Sequence, residues 1–192
     1  VVTVGTYEAT DIGTSCYHTN LGIAENMLSH VVDDNEHWLV ADMVAGTDAF
    51  SGSLHLQFDV IFFVAEPTAE SVGVWQQYRA LAQVSGIEDH VRVLGNKIQD
   101  TEDEAYLKQE IGAVLIGCFS EDRRVKRARR EGKEVSIGSV EQDADWREVF
   151  SQIQTHAWNR QEQLQALHRL HLRYAQESYV RNRMGDVTGQ ID

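Results

Sequence analysis

Five short apolar runs, each continuous rather than alternating, punctuate this chain at 1–5, 38–42, 60–65, 91–94 and 113–118. A strand covered on both faces has no solvent side, so its sequence shows no two-residue alternation. Longer stretches with helical spacing separate most of the runs. That order of strand, helix, strand predicts a parallel sheet with right-handed crossovers. The expected fold class is α/β: a parallel sheet flanked by helices, followed by an α-helical C-terminal appendage.

The helical stretches are expected at 21–32, 69–85, 102–110 and 122–131. The first sets Ile23, Met27, Leu28 and Val31 on one side, and the second brings Val72, Trp75, Leu81 and Val84 near helical spacing. The other two are short and highly charged. After residue 143 no strand-like run occurs. Trp146, Val149, Phe150, Ile153 and Ala157 recur at helical spacing, as do Leu164, Leu167, Leu170, His171 and Tyr174. Two helices joined near Asn159 are expected there. The division expected is a core over 1–140 and a helical extension over 141–192, its last residues from Gly185 frayed.

With 192 residues, 42% hydrophobic and 24% charged, the chain has enough material for one sizeable core. A single proline and no Gly/Ser-rich tract exclude collagenous or disordered classes. The net charge of −13 repels nucleic acid and anionic membranes, so nucleic acid is not an expected partner. One basic cluster runs against that trend: Arg123, Arg124, Lys126, Arg127, Arg129, Arg130 and Lys133. Two cysteines make no disulfide framework, and the longest apolar run is far too short to span a bilayer. A cytoplasmic protein is expected. Because the chain opens on Val1-Val2-Thr3-Val4, which reads as a buried strand, residues upstream of Val1 are expected.

Three segments can carry chemistry. In Asp42-Met43-Val44-Ala45-Gly46 an apolar run ends in an acid, at the sheet edge where α/β proteins bind ligands. Asp42 there either holds Mg²⁺ through water against nucleotide phosphates or caps the next segment. Gly46 has no Cβ to keep a γ-phosphate from its backbone N–H. In Gly95-Asn96-Lys97 the Asn96 amide offers both donor and acceptor, which suits the adenine edge, and Lys97 can lend its stem to the base. The same residues also suit an ordinary turn. In Ala65-Glu66-Pro67-Thr68, Pro67 stops a strand, Thr68 can N-cap a helix and Glu70 reinforces its first turn.

Taken in order, these three segments resemble the MinD/ParA-type P-loop ATPases, and within them the CooC-like, nitrogenase-iron-protein-like branch. The similarity runs from about Thr3 to Gly132, and the tail resembles actinobacterial ATP-binding proteins of the same group. The resemblance implies a P-loop NTPase fold and a dimeric switch that binds and hydrolyses ATP with Mg²⁺ to act on a protein cargo or partner. It implies that Asp42 and Gly46 belong to the switch, that Asn96 and Lys97 contact adenine, and that backbone near Phe119 touches the base. Phe119 stands where the family often has proline, and its ring suits either adenine or the core.

Two departures matter. The family's phosphate loop, Gly-rich with Lys and Ser/Thr, is nowhere in these residues, so the chain alone is expected to hydrolyse nothing. Where CooC-like proteins carry Cys-x-Cys, this chain reads Cys16-Tyr17-His18. Cys16 and His18 are either half of a transition-metal site shared between two subunits or a buried thiol beside a polar histidine. His168 and His171 share a helix face but lack a third ligand. The alternative reading is a non-catalytic α/β module that docks a partner through the 123–133 face and the C-terminal helices.

Overall fold

The structure, a computed structural model, describes residues 3–4, 17–31, 37–44, 46–135 and 144–190, with 17–20 as backbone only. The chain divides into two units, Asp59–Ala157 and Val1–Phe58 with Trp158–Asp192.

The Asp59–Ala157 unit is the α/β sheet expected from the apolar runs. Strands β1 (Ile61–Ala65), β2 (Val91–Ile98) and β3 (Leu115–Ser120) pair in parallel, in the order β1-β2-β3. Helix α2 (Ala69–Ser85) connects the first two strands and α3 (Thr101–Ile111) the next two. Helix α4 (Arg123–Glu131) follows β3, and α5 (Ala144–Thr155) packs on β3. Val91, Val93, Leu107 and Ala65 are buried at the centre.

Local chemistry sets these boundaries. The Thr68 hydroxyl accepts from the Ser71 amide at 3.2 Å and starts α2, and Gly86 at φ 73° ends it. The Asp100 carboxylate takes the amides of Glu102 and Asp103 at 2.9 and 3.0 Å and starts α3. Each cap satisfies amides that a first helical turn leaves without a partner. The face that α2 buries is Val72, Trp75, Tyr78 and Ala82, with Phe63 against both rings at 5.4 and 5.2 Å. Leu81 and Val84 point to solvent, which corrects the expected apolar face.

The other unit contains α1 (Tyr17–Ser29), α6 (Arg160–Gln176) and α7 (Ser178–Met184) with short 3₁₀ turns at Asp48–Phe50, Leu54–Leu56 and Thr188–Gln190. Asn159 caps α6 through the Gln161 amide at 3.0 Å, at the joint expected from the sequence. The sequence does not signal α7 or the turn at Thr188–Gln190. Helix α1 overlaps the expected 21–32 but begins four residues earlier and ends three earlier, and Ile23, Met27 and Val31 are exposed while Leu21 is buried.

The run at 38–42 is not a strand. Residues 37–44 are irregular, and Val40 is 86% exposed. Strand geometry is worth adopting only where a neighbouring strand takes up the backbone hydrogen bonds, and the sheet among the described residues does not include this run. Of the run at 1–5, residues 3 and 4 are described and are not strand; the rest lies outside the described residues.

Candidate functional site

The carboxyl ends of three parallel strands meet on one edge of the Asp59–Ala157 unit, and the sequence-derived Asn96, Lys97 and Phe119 all lie there. Asn96 of β2 pairs in register with Phe119 of β3. The ladder then shifts between Asn96 and Ile98, and Lys97 sits at φ 59°, the one non-glycine residue at positive φ among the described residues. A lysine in the left-handed region costs roughly 1 kcal/mol or more relative to glycine, and it persists only where its surroundings enforce it. Such bulges re-aim side chains, and they collect beside ligand sites.

Here the surroundings are visible. Lys97 Nζ donates to Glu66 Oε1 at 2.5 Å, tying the end of β2 to the residue that follows β1. The Glu66 amide in turn donates to the Ser71 hydroxyl at 2.9 Å, which fixes the β1–α2 junction. Both charged groups are about half exposed, so the pair orients Lys97 more than it stabilises the fold.

Behind this edge the sheet is closely packed. A Cβ on Gly95 would lie 2.8 Å from Cys118 Sγ and 3.0 Å from Leu107, so glycine is required by the approach of β3 and α3. Burial pushes the Cys118 thiol up, with the carboxylates of Glu104 and Asp145 acting in the same direction. Asp145 of α5 accepts the Cys118 amide at 3.3 Å. Next to it the Trp146 ring meets Phe119 at 4.9 Å between centroids, so α5 anchors the Phe119 ring.

Asp42 and Gly46 belong to the other unit. Asp42 is exposed in the irregular stretch, not at a strand end. Gly46 has φ 109°, a conformation L side chains rarely adopt, which accounts for glycine at this point. The chain beyond Gly46 is held by side chains. The Glu25 carboxylate accepts the amides of Ser53 and Leu54 at 2.5 and 3.1 Å. Gly52 makes room for it, since a Cβ there would lie 2.1 Å from Glu25 Oε1. His55 is buried, donates from Nδ1 to the Ala49 carbonyl at 3.1 Å and lies against Phe50. Its burial holds the imidazole pKa below the usual histidine value. Gln163 Nε2 donates to the Leu56 carbonyl at 2.8 Å and Trp158 Nε1 to that of Phe58 at 2.9 Å.

Sequence reasoning missed Glu25, His55 and the Lys97–Glu66 pair. Glu25 carried a signal, as the only Asp or Glu in α1. Cys16 lies outside the described residues, and of His18 only the backbone, in the first turn of α1, is described. Among the described residues no group of three His, Cys, Asp or Glu side chains could hold a metal ion, and no helix is long and apolar enough to cross a membrane.

Comparison with known proteins adds one relative. Over 142 residues, 72% of this chain, the sequence is 25% identical to an uncharacterized ATP-binding protein of Methanocaldococcus jannaschii. The match covers 54% of that protein, so the chain spans about half the length of the curated relative it matches. No family model matches the chain, and no solved structure does.

Proposed function

We infer that the chain is part of an ATP-binding switch protein of MinD/ParA type, near the CooC-like branch, and that the carboxyl edge of β2 and β3 is where it reads adenine. The observation that carries this reading is the register of Asn96 beside Phe119, with Lys97 turned out by the bulge. A carboxamide next to an aromatic ring suits a purine: one bonds the base edge, the other offers a face. The likeness to a protein described as ATP-binding supports nucleotide binding; the switch family rests on the motif order alone.

In this reading Asn96 holds the adenine edge, the Lys97 stem lies along the base, and the Phe119 ring is kept in place by Trp146. By the resemblance alone, Gly46 belongs to a switch that senses the γ-phosphate and acts on a dimer surface and a protein partner, and Asp42 is the acid that holds Mg²⁺ through water. When bound, Mg²⁺ would neutralise charge developing on the phosphates. Hydrolysis belongs to the whole protein; this chain alone is expected to turn over no ATP.

Titration with a fluorescent ATP analogue tests the assignment, with GTP as competitor. Asn96→Ala is expected to weaken ATP binding about tenfold and to erase the preference over GTP, because the base edge loses its paired partner. An unchanged preference for ATP in the variant overturns the adenine-edge assignment.

A further inference from the structure

Among the described elements helix α4 is the most basic, in a chain that is otherwise acidic. Its nine residues carry six cations and one acid, a net +5, which leaves −18 for the remainder of the chain. All six cations are exposed, while Val125 and Ala128 are half-buried. At 100° per residue, Arg123, Lys126, Arg127 and Arg130 form a stripe on the side opposite Val125 and Ala128.

Such a helix works against itself. Arg123 with Arg127, and Lys126 with Arg130, are like charges four residues apart, each pair costing roughly 0.2–0.5 kcal/mol. The ends are built to hold it regardless. Asp122 caps the first turn through the Arg124 amide at 2.7 Å, and Gly132 at φ 63° closes the last. The nearby acids are spent on other cations: Asp122 on Arg124, Glu121 on Lys126, and Glu131 on Arg127 and Lys133. Arg123, Arg129 and Arg130 make no ion pair among the described residues.

We propose that the outer face of α4 is a docking surface for an acidic segment of a partner protein. Arg123 and Arg130 stand two turns apart, about 10 Å along the axis. That span fits carboxylates spaced over two turns of a helix or over about three extended residues. Guanidinium forks match carboxylates bidentately. Two other polyanions fit less well. The helix has no aromatic side chain on which a base could stack. A membrane surface asks for an exposed apolar face, and the two apolar residues of α4 are half-buried. Because α4 leaves the same sheet edge as Phe119, a docked segment adjoins the candidate nucleotide site. The proposal itself stands on α4 alone and does not need a nucleotide.

The test uses the full chain at about physiological ionic strength, where exposed charges still interact over about 8 Å. Fluorescence anisotropy compares a labelled oligoglutamate peptide, a single-stranded oligothymidylate of equal charge, and phosphatidylserine-containing vesicles. The peptide is expected to bind at least about tenfold more tightly than either, and to weaken as salt rises. The double variant Arg123→Gln/Arg130→Gln removes two exposed, unpartnered charges and leaves both caps intact. It should lose about fivefold to tenfold in peptide affinity, the worth of two exposed ion pairs, with unchanged circular dichroism. Arg79→Gln, elsewhere in the same unit, should leave peptide affinity unchanged. Failure of the peptide to bind, equal or tighter binding of oligonucleotide or vesicles, or equal losses in both variants overturns the proposal.

Discussion

The two units satisfy their backbones by different means. In the Asp59–Ala157 unit the amides and carbonyls of β1, β2 and β3 take one another as partners in a parallel ladder. In the other unit the chain from Gly46 to Phe58 has no ladder. Its amides at Ser53 and Leu54 go to Glu25, and its carbonyls at Ala49, Leu56 and Phe58 go to His55, Gln163 and Trp158. Both arrangements meet the same requirement, that a buried backbone group find a partner. The difference lies in robustness. A ladder is indifferent to side chains, whereas a segment held by four named side chains can be released by changing one.

The largest expected effect sharpens the contrast inside and outside the sheet. Trp75→Ala removes a ring that is 3% exposed and should cost about 3–5 kcal/mol in urea unfolding followed by circular dichroism. Val40→Thr, in the exposed irregular run, should stay within about 0.5 kcal/mol. A large cost at Val40 would mean that 37–44 is packed as a strand, and the comparison would break.

Next comes Glu25→Ala, which leaves the Ser53 and Leu54 amides without their acceptor at an expected cost of about 2–3 kcal/mol. Hydrogen exchange should quicken at those two amides while that of Val93 in β2 is unmoved. Glu25→Gln keeps an acceptor and should recover part of the protection. Unchanged exchange at Leu54 in the alanine variant would remove Glu25 from its role.

A smaller effect concerns pH. The folded unit holds His55 below its ordinary value of 6.5, so the unfolded chain binds the proton more readily. Stability from this group is present above about 6.5 and is lost as pH falls toward the lower folded value. Exchange protection across 46–58 should therefore drop on acidification, and His55→Gln should flatten that drop. An identical pH profile in the variant would assign the effect to other groups.

The smallest concerns the bulge. At φ 59° glycine carries no side-chain penalty, so Lys97→Gly should be about 1 kcal/mol more stable than Lys97→Ala, each having lost the Glu66 pair. Equal stabilities in thermal melts would show an unstrained backbone at this position.

Much of the sheet unit was legible from residue types. Helix α2 occupies the expected 69–85 because Thr68, Glu70 and Gly86 are local signals that need no neighbour to act. Asn159 marks the start of α6 in the same way. The three strands lie where continuous apolar runs put them, because a run buried on both faces has few other stable arrangements. What was not legible depends on who the neighbour is. Periodicity announces a helix at α1 but does not say which side meets the protein, and Glu25 and Leu21 turn inward instead of Ile23 and Met27. The run at 38–42 has the composition of a strand and no ladder partner among the described residues, so it stays irregular.

By itself the sequence determined the α/β class, the helix caps, and the residues offered at the ends of β1, β2 and β3, since each follows from local chemistry over a few residues. Only the tertiary structure decided that Asn96 stands beside Phe119, that Lys97 at φ 59° pairs with Glu66, and that Glu25 and His55 fasten the chain after Gly46. Each of these joins residues many positions apart. Register and long-range pairing are fixed by packing and by backbone groups that must all be satisfied at once, and no local pattern contains that information.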